Sequence, residues 1–81
     1  MMNIRVKTFA VLKSYFQEEF DLELDYGSNI YDLMEKLELL NPKASHVISH
    51  SLVAMNDEMV DKSIKLKGGE LVCILPPVSG G

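Results

Sequence analysis

The sequence is poor in cysteine, in positive charge and in long apolar runs, and each shortage closes off a class of function. Cys73 is the only cysteine, so no disulfide can form within the chain. A secreted disulfide scaffold is excluded, and a reducing cytoplasm is the expected compartment. No apolar run approaches the roughly 18 to 20 residues of a membrane-spanning helix. The opening stretch MMNIRVKTFAVL interleaves charged with apolar residues, unlike the unbroken apolar segment of a signal peptide. Neither membrane attachment nor export is expected. Basic residues number 8 against 12 acidic ones, for a formal charge of −4. The densest basic grouping, Lys62, Lys65 and Lys67, occupies one short segment. These electrostatics argue against nucleic-acid binding and favour solubility and attraction to a basic partner surface.

A catalytic constellation is also missing. His46 and His50, four residues apart, would share one face of a helix, but no third ligand accompanies them. Solvated surface histidines are expected and no metal site. The carboxylates are scattered over positions that read as exposed, with no pair set apart for acid and base work. No glycine-rich loop of the phosphate-cradling kind occurs, so no bound nucleotide or other cofactor is expected. Cys73 lies in an apolar segment without a cation nearby in sequence. It reads as a small buried core residue with a raised pKa and low reactivity. Met34, Met55 and Met59 fall at periodic positions and read as core filling.

What remains is a chain of 81 residues, 47% hydrophobic. That length suits one small domain, which buries a little over about 60% of its unfolded surface. Alternation of Ile4 and Val6 with Asn3, Arg5 and Lys7 predicts a first strand from Asn3 to Phe9. Val11, Leu12, Tyr15 and Phe16 have the spacing of a short helix or turn. Phe20, Leu22 and Leu24 alternate with Asp21, Glu23 and Asp25, which predicts a second strand. The main helix is announced by Asn29 as N-cap and by Asp32, three residues on, as the returning acid of a capping box. Ile30, Leu33, Met34 and Leu37 form its apolar stripe, and Asn41-Pro42 closes it.

A less regular stretch is expected from Lys43 to His50. SLVAMN reads as a third strand, and NDE as a tight turn into Met59 and Val60. Ile64 and Leu66 alternate with lysines, and Gly68-Gly69 reads as an ordinary turn into LVCILPP. That last segment is apolar enough to predict a central strand covered, at least in part, on both faces. Burial places the first and last strands side by side at the sheet centre, hence parallel. The result is a mixed sheet on one main helix, in the α+β class.

The segment PPVSGG is the one local feature that asks for a function. Pro76 and Pro77 fix φ and lack an N–H, so they end strand pairing and direct the chain outward. From Pro76 to Gly81 the extended chain reaches about 20 Å. Gly80 and Gly81 have no side chains, and such a tip passes through a channel that any Cβ would block. Val78 can serve as an apolar anchor. Gly81 carries a carboxylate, which is a poor electrophile when ionised. Acyl or sulfur chemistry there requires activation by another enzyme that brings ATP. The reading divides the chain into a folded domain, residues 1–75, and an extended tail, residues 76–81.

ILPPVSGG resembles the end of the small subunits of molybdopterin synthase, a family of ubiquitin-like sulfur carriers. VAMNDEMV, KGGELVCILPPVSGG and SNIYDLMEKL resemble that family's strand and turn, last strand and main-helix start, so the likeness runs the full length. The resemblance implies a ubiquitin-like β-grasp fold. It also implies that an adenylating enzyme related to ubiquitin-activating enzymes activates Gly81 with ATP, and that a sulfur donor converts it to a thiocarboxylate. The tail, with Ser79 and Gly80 in the channel, would enter the large synthase subunit, in a heterotetramer, and give sulfur to cyclic pyranopterin monophosphate. Phe9, Leu75, Pro76, Pro77 and Val78 match positions that face the partner, and catalytic side chains would belong to the large subunit. Two related uses of the same activated carboxylate stay open: a sulfur carrier of the thiamine pathway, which the PPVS stretch disfavours, and a ubiquitin-like protein modifier joined to lysine.

Overall fold

A computed structural model describes residues 1–77 of the chain. Five strands form one mixed sheet in the order β2-β1-β5-β3-β4, with β1 at Met2–Thr8, β2 at Glu19–Leu24, β3 at Leu52–Met55, β4 at Glu58–Met59 and β5 at Leu71–Leu75. β1 and β5 are parallel, with Arg5 opposite Leu71 and Thr8 opposite Ile74. The other pairings, β1 with β2, β3 with β5 and β3 with β4, are antiparallel. The expectation of parallel first and last strands holds because these two carry the most side chains that need cover.

The main helix, α1, runs from Ile30 to Leu40 and crosses one face of the sheet. Its start follows from the sequence. Asn29 Oδ1 accepts from Asp32 N at 2.9 Å, and Asp32 Oδ2 accepts from Asn29 N at 2.9 Å, which satisfies two amide donors that the first turn would leave unpaired. Ile30, Leu33, Met34 and Leu37 are buried. They pack on Ile4, Val6, Leu22, Leu24, Val53, Val72 and Ile74 from the strands. A sheet closed over one main helix is the β-grasp arrangement, an α+β fold.

The segment expected to be irregular is more ordered than its composition suggests. Pro42–Ala44 forms a 3-10 turn, and Ser45–Ser49 a five-residue helix, α2. Pro42 supplies a preset φ at the first position of the turn, and the Asn41 side chain accepts from Lys43 N at 3.2 Å. Ala44 and Ile48 are fully buried, so two apolar contacts hold a piece too short to be helical alone. Ile64 and Leu66 do not form a strand. Lys65 makes one isolated bridge to Asn29, while Leu66 is buried.

The turns use the backbone conformations their residues permit. Asn56 and Asp57, both at positive φ (52° and 62°), make the tight β3–β4 connection, where Asn and Asp tolerate the left-handed region. Gly68 has φ 106°, and a Cβ there would lie 3.2 Å from Met2 Cβ, so the glycine serves both the turn and the close approach of β1. The Glu70 carboxylate accepts from Lys67 N and Gly68 N at 2.7 and 2.6 Å. Among the described residues no helix is long and apolar enough to cross a membrane.

Candidate functional site

Among the described residues the second face of the sheet carries no helix, and its composition is uneven. Period-two alternation sends Asn3, Arg5 and Lys7 of β1 and Glu19, Asp21 and Glu23 of β2 to this outer face, where they pair across the strands. Arg5 Nη1 reaches Glu19 at 2.9 Å and Nε reaches Asp21 at 3.0 Å. Hydrogen bonds donated to Glu19, then to Asp21, raise the guanidinium pKa. This half of the face is polar and largely exposed.

The other half is apolar. Leu71, Cys73 and Leu75 of β5 point outward, with Ala54 opposite Cys73 and Leu52 opposite Leu75. Met59 of β4 stands opposite Ala54. Phe9 joins them because the chain stays extended beyond β1, at φ −134° and ψ 157°, before Ala10 turns it at φ 52°. Ala10 is one of three non-glycine residues at positive φ among the described residues. Phe9 O accepts from Leu12 N at 3.1 Å, starting the 3-10 turn Ala10–Ser14 whose Leu12 is buried in the core. Phe9, Ala54, Asp57, Met59, Cys73 and Leu75 line a shallow hollow of about 340 Å³. Leu75 is the last residue of β5, and half-buried Pro76 and exposed Pro77 follow it.

Of the residues singled out from sequence, Phe9 and Leu75 are brought together at this hollow, and Pro76 and Pro77 leave from its edge. Val78, Ser79, Gly80 and Gly81 lie outside the described residues. Two expectations need correction. Met59 does not fill the core: it is 61% exposed, because the two-residue turn sets it against outward-facing Ala54. Cys73 is not a core residue but half-buried on the outer face. The last strand is central, as expected, and its two faces are covered unequally: Val72 and Ile74 are buried, Cys73 and Leu75 half-buried and Leu71 44% exposed.

Charges around the hollow are few and placed on opposite sides. Lys7 Nζ lies 5.4 Å from the centroid of the Phe9 ring, within cation–π range. Lys7 stands directly across from Cys73 in the parallel register, and Asp57 lines the far side. Burial pushes the Cys73 thiol pKa up; Lys7 opposes that shift, while Asp57 and Glu19 add to it. A cation near Cys73 is absent in sequence order but supplied by the neighbouring strand.

Leu52, Ala54, Asp57, Met59 and Lys7 were missed from sequence as parts of this surface. The signal was there in outline. Once Val53 is assigned inward, alternation turns Leu52 and Ala54 outward, but Met59 follows only if the Asn56-Asp57 turn is counted as two residues. His46 and His50 sit on and just after α2 with ring centroids 4.5 Å apart, and His50 Nδ1 lies 2.8 Å from His46 O. Among the described residues no group of three or more potential metal ligands occurs. A larger hollow near Tyr26, Leu39 and Leu40 gathers no comparable set of groups: Asp32 is engaged in the helix cap, and Lys36 donates to Glu23 O.

The ThiS family model matches residues 6–81. A molybdopterin synthase sulfur carrier subunit from Dictyostelium discoideum is 33% identical over 82 residues, covering 95% of this chain and 94% of the relative. One from Chlamydomonas reinhardtii is 34% identical over 83 residues, covering 99% and 100%. Among solved structures, a protein named as subunit 1 of a molybdopterin converting factor, from Pyrococcus furiosus, superposes with a TM-score of 0.84 at 25% identity, covering 96% of this chain and all of the other (100%). The small archaeal modifier protein 1 of Methanosarcina acetivorans gives 0.81 at 25% identity, covering 100% and 98%. A complex of subunits 1 and 2 of the molybdopterin-converting factor from Helicobacter pylori gives 0.70 at 25% identity, covering 99% and 100%.

Proposed function

Because the chain belongs to the ThiS family, we propose that it is the sulfur carrier subunit of a molybdopterin synthase and that its Gly81 carboxylate is the group that reacts. The observation that carries this reading is the meeting of Phe9 and Leu75 in an exposed apolar hollow from which Pro76 and Pro77 lead the chain away. A folded body that leaves apolar surface uncovered beside its tail is built to be held while the tail is used. The two curated relatives, similar over nearly the whole chain and named for this role, support it.

The chemistry assigned to Gly81 follows from its carboxylate. An anion resists attack by a sulfur nucleophile, so an adenylating enzyme first joins the carboxylate to AMP, with pyrophosphate leaving from ATP. Sulfide equivalents from a donor then displace AMP and leave a thiocarboxylate. Gly80 and Ser79 fit a narrow channel because one has no side chain and the other a small one. In the large subunit of the synthase the thiocarboxylate sulfur bonds to cyclic pyranopterin monophosphate, and water cleaves the acyl–sulfur bond and restores the Gly81 carboxylate. That the Helicobacter pylori subunits form a complex supports such a partner. Catalytic side chains are assigned to the large subunit, since the hollow on this chain holds no acid–base pair. These steps are assigned to the cytoplasm, where a lone thiol stays reduced.

Incubation with ATP, an adenylating enzyme of this class and a sulfide source, followed by intact-mass measurement, tests the reading. The expected product has one oxygen exchanged for sulfur at Gly81. No exchange under conditions where the enzyme forms AMP would overturn it. A second reading, attachment of Gly81 to lysines of other proteins, is favoured by the likeness to a small archaeal modifier protein at 25% identity. Higher-mass conjugates in cell extracts that disappear when Gly81 is deleted would mark that use.

A further inference from the structure

The apolar hollow has a cation, Lys7, at its edge and an anion, Asp57, in its lining, and neither forms an ion pair among the described residues. Lys7 has Glu19 as its register partner on β2, but Glu19 is taken by Arg5 at 2.9 Å. Among the described residues Lys7 forms no ion pair, and neither does Asp57. Lys7 instead lies over Phe9, at the edge of the surface that the functional reading covers with a partner. Two strand spacings, about 10 Å, separate β1 from β3, whose turn holds Asp57.

Docking on this face removes water from Lys7. A cation over a single ring recovers only part of its lost hydration, and an ammonium covered without a counter-charge opposes binding. Asp57 imposes the mirror-image demand on the other side. On the docking reading given above, we infer that the partner face carries a carboxylate against Lys7 and a basic side chain against Asp57. The two pairs fix the rotation in which the carrier sits, and so the direction in which its tail enters. An apolar patch alone allows many rotations, whereas charges of opposite sign on two sides of it allow one.

The test is calorimetric titration of the chain into the large synthase subunit of the same organism, at several salt concentrations. The variants are Lys7→Met, Lys7→Gln, Lys7→Glu, Asp57→Asn and Phe9→Ala. Both Lys7 and Asp57 lie outside the core, so their variants should fold, and circular dichroism verifies it. The expected result is binding by the unaltered chain that weakens as salt rises. Lys7→Met and Lys7→Gln should lose at least about tenfold, Lys7→Glu more, and Asp57→Asn a smaller factor, each with a flatter salt dependence.

Equal or tighter binding by Lys7→Met and Lys7→Gln, with Phe9→Ala still defective, overturns the charge inference and leaves the docking face standing. Full binding by Phe9→Ala, or no binding by the unaltered chain, overturns the docking reading and this inference with it.

Discussion

Lys7 and Cys73 stand directly opposite each other across the parallel β1–β5 pair, both on the face of the sheet that carries no helix. The relationship makes Cys73 a reporter of that face. Its thiol pKa is raised chiefly by burial and pulled back by Lys7. At mildly alkaline pH Cys73 should therefore hold less thiolate than free cysteine and be alkylated by iodoacetamide more slowly. Lys7→Met should slow it further, as read by mass spectrometry over time. For stability the sign is fixed: the unfolded thiol releases its proton first, so the contribution is present below the unfolded pKa and lost as pH rises through the folded one.

The capping box at the start of α1 gives a second expectation. Asn29→Ala removes the acceptor for Asp32 N and should cost about 1 kcal/mol, within a range of roughly 0.5 to 2. In a domain of this size that lowers the melting temperature by about 4 to 8 °C per kcal/mol. Asn29→Asp should avoid most of that loss, because Asp also caps.

Ala10 holds φ 52°, a conformation that costs a residue with a Cβ roughly 1 to 2 kcal/mol. Ala10→Gly should therefore stabilise the protein, by up to about 1 kcal/mol once the greater freedom of unfolded glycine is subtracted. Ala10→Val should destabilise it. Because Ala10 is exposed, chemical denaturation midpoints for the two variants isolate the backbone effect from packing.

Ile74 is fully buried on the inner face of β5, at the centre of the sheet. Ile74→Ala should cost about 2 to 5 kcal/mol, a large share of the stability of a small domain. Ile74→Val, with only a methyl group lost, should cost about 0.5 to 1.5 kcal/mol. Urea unfolding with an unchanged slope would assign the loss to packing in the native state.

Phe9→Ala should separate function from folding. Phe9 is half-buried and lies on the outer face, so its loss should disturb stability far less than Ile74→Ala while weakening partner binding at least about tenfold. Deleting Gly81 should do the reverse of a fold mutation: an unchanged melting temperature with sulfur transfer abolished.

Much of this arrangement was legible in the sequence, and the reasons are particular. Asn29 and Asp32 are three residues apart at the head of an apolar stripe, a pattern with one good solution. The shared apolar demand of β1 and β5 placed them together at the centre. Illegible parts depended on register. Met59 and Cys73 alternate plausibly in either direction, and only the two-residue turn at Asn56-Asp57 and the pairing of Ala54 with Cys73 decide which way they face. Helix α2 was hidden because Ser, His and Val favour helix weakly, and its order comes from burying Ala44 and Ile48. The candidate docking face was half visible for the same reason: Phe9 and Leu75 stood out beside the tail, while Leu52, Ala54 and Lys7 acquire meaning only when neighbouring strands are laid alongside.

Parallel pairing of β1 with β5 has a practical corollary. Since Thr8 lies level with Ile74, the start of β1 and the exit of β5 sit at opposite poles. A purification tag, fluorophore or surface tether placed ahead of Met2 would hang from the far pole. Sensors and columns loaded that way would display every copy with the exit of β5 outward, ready for an incoming protein.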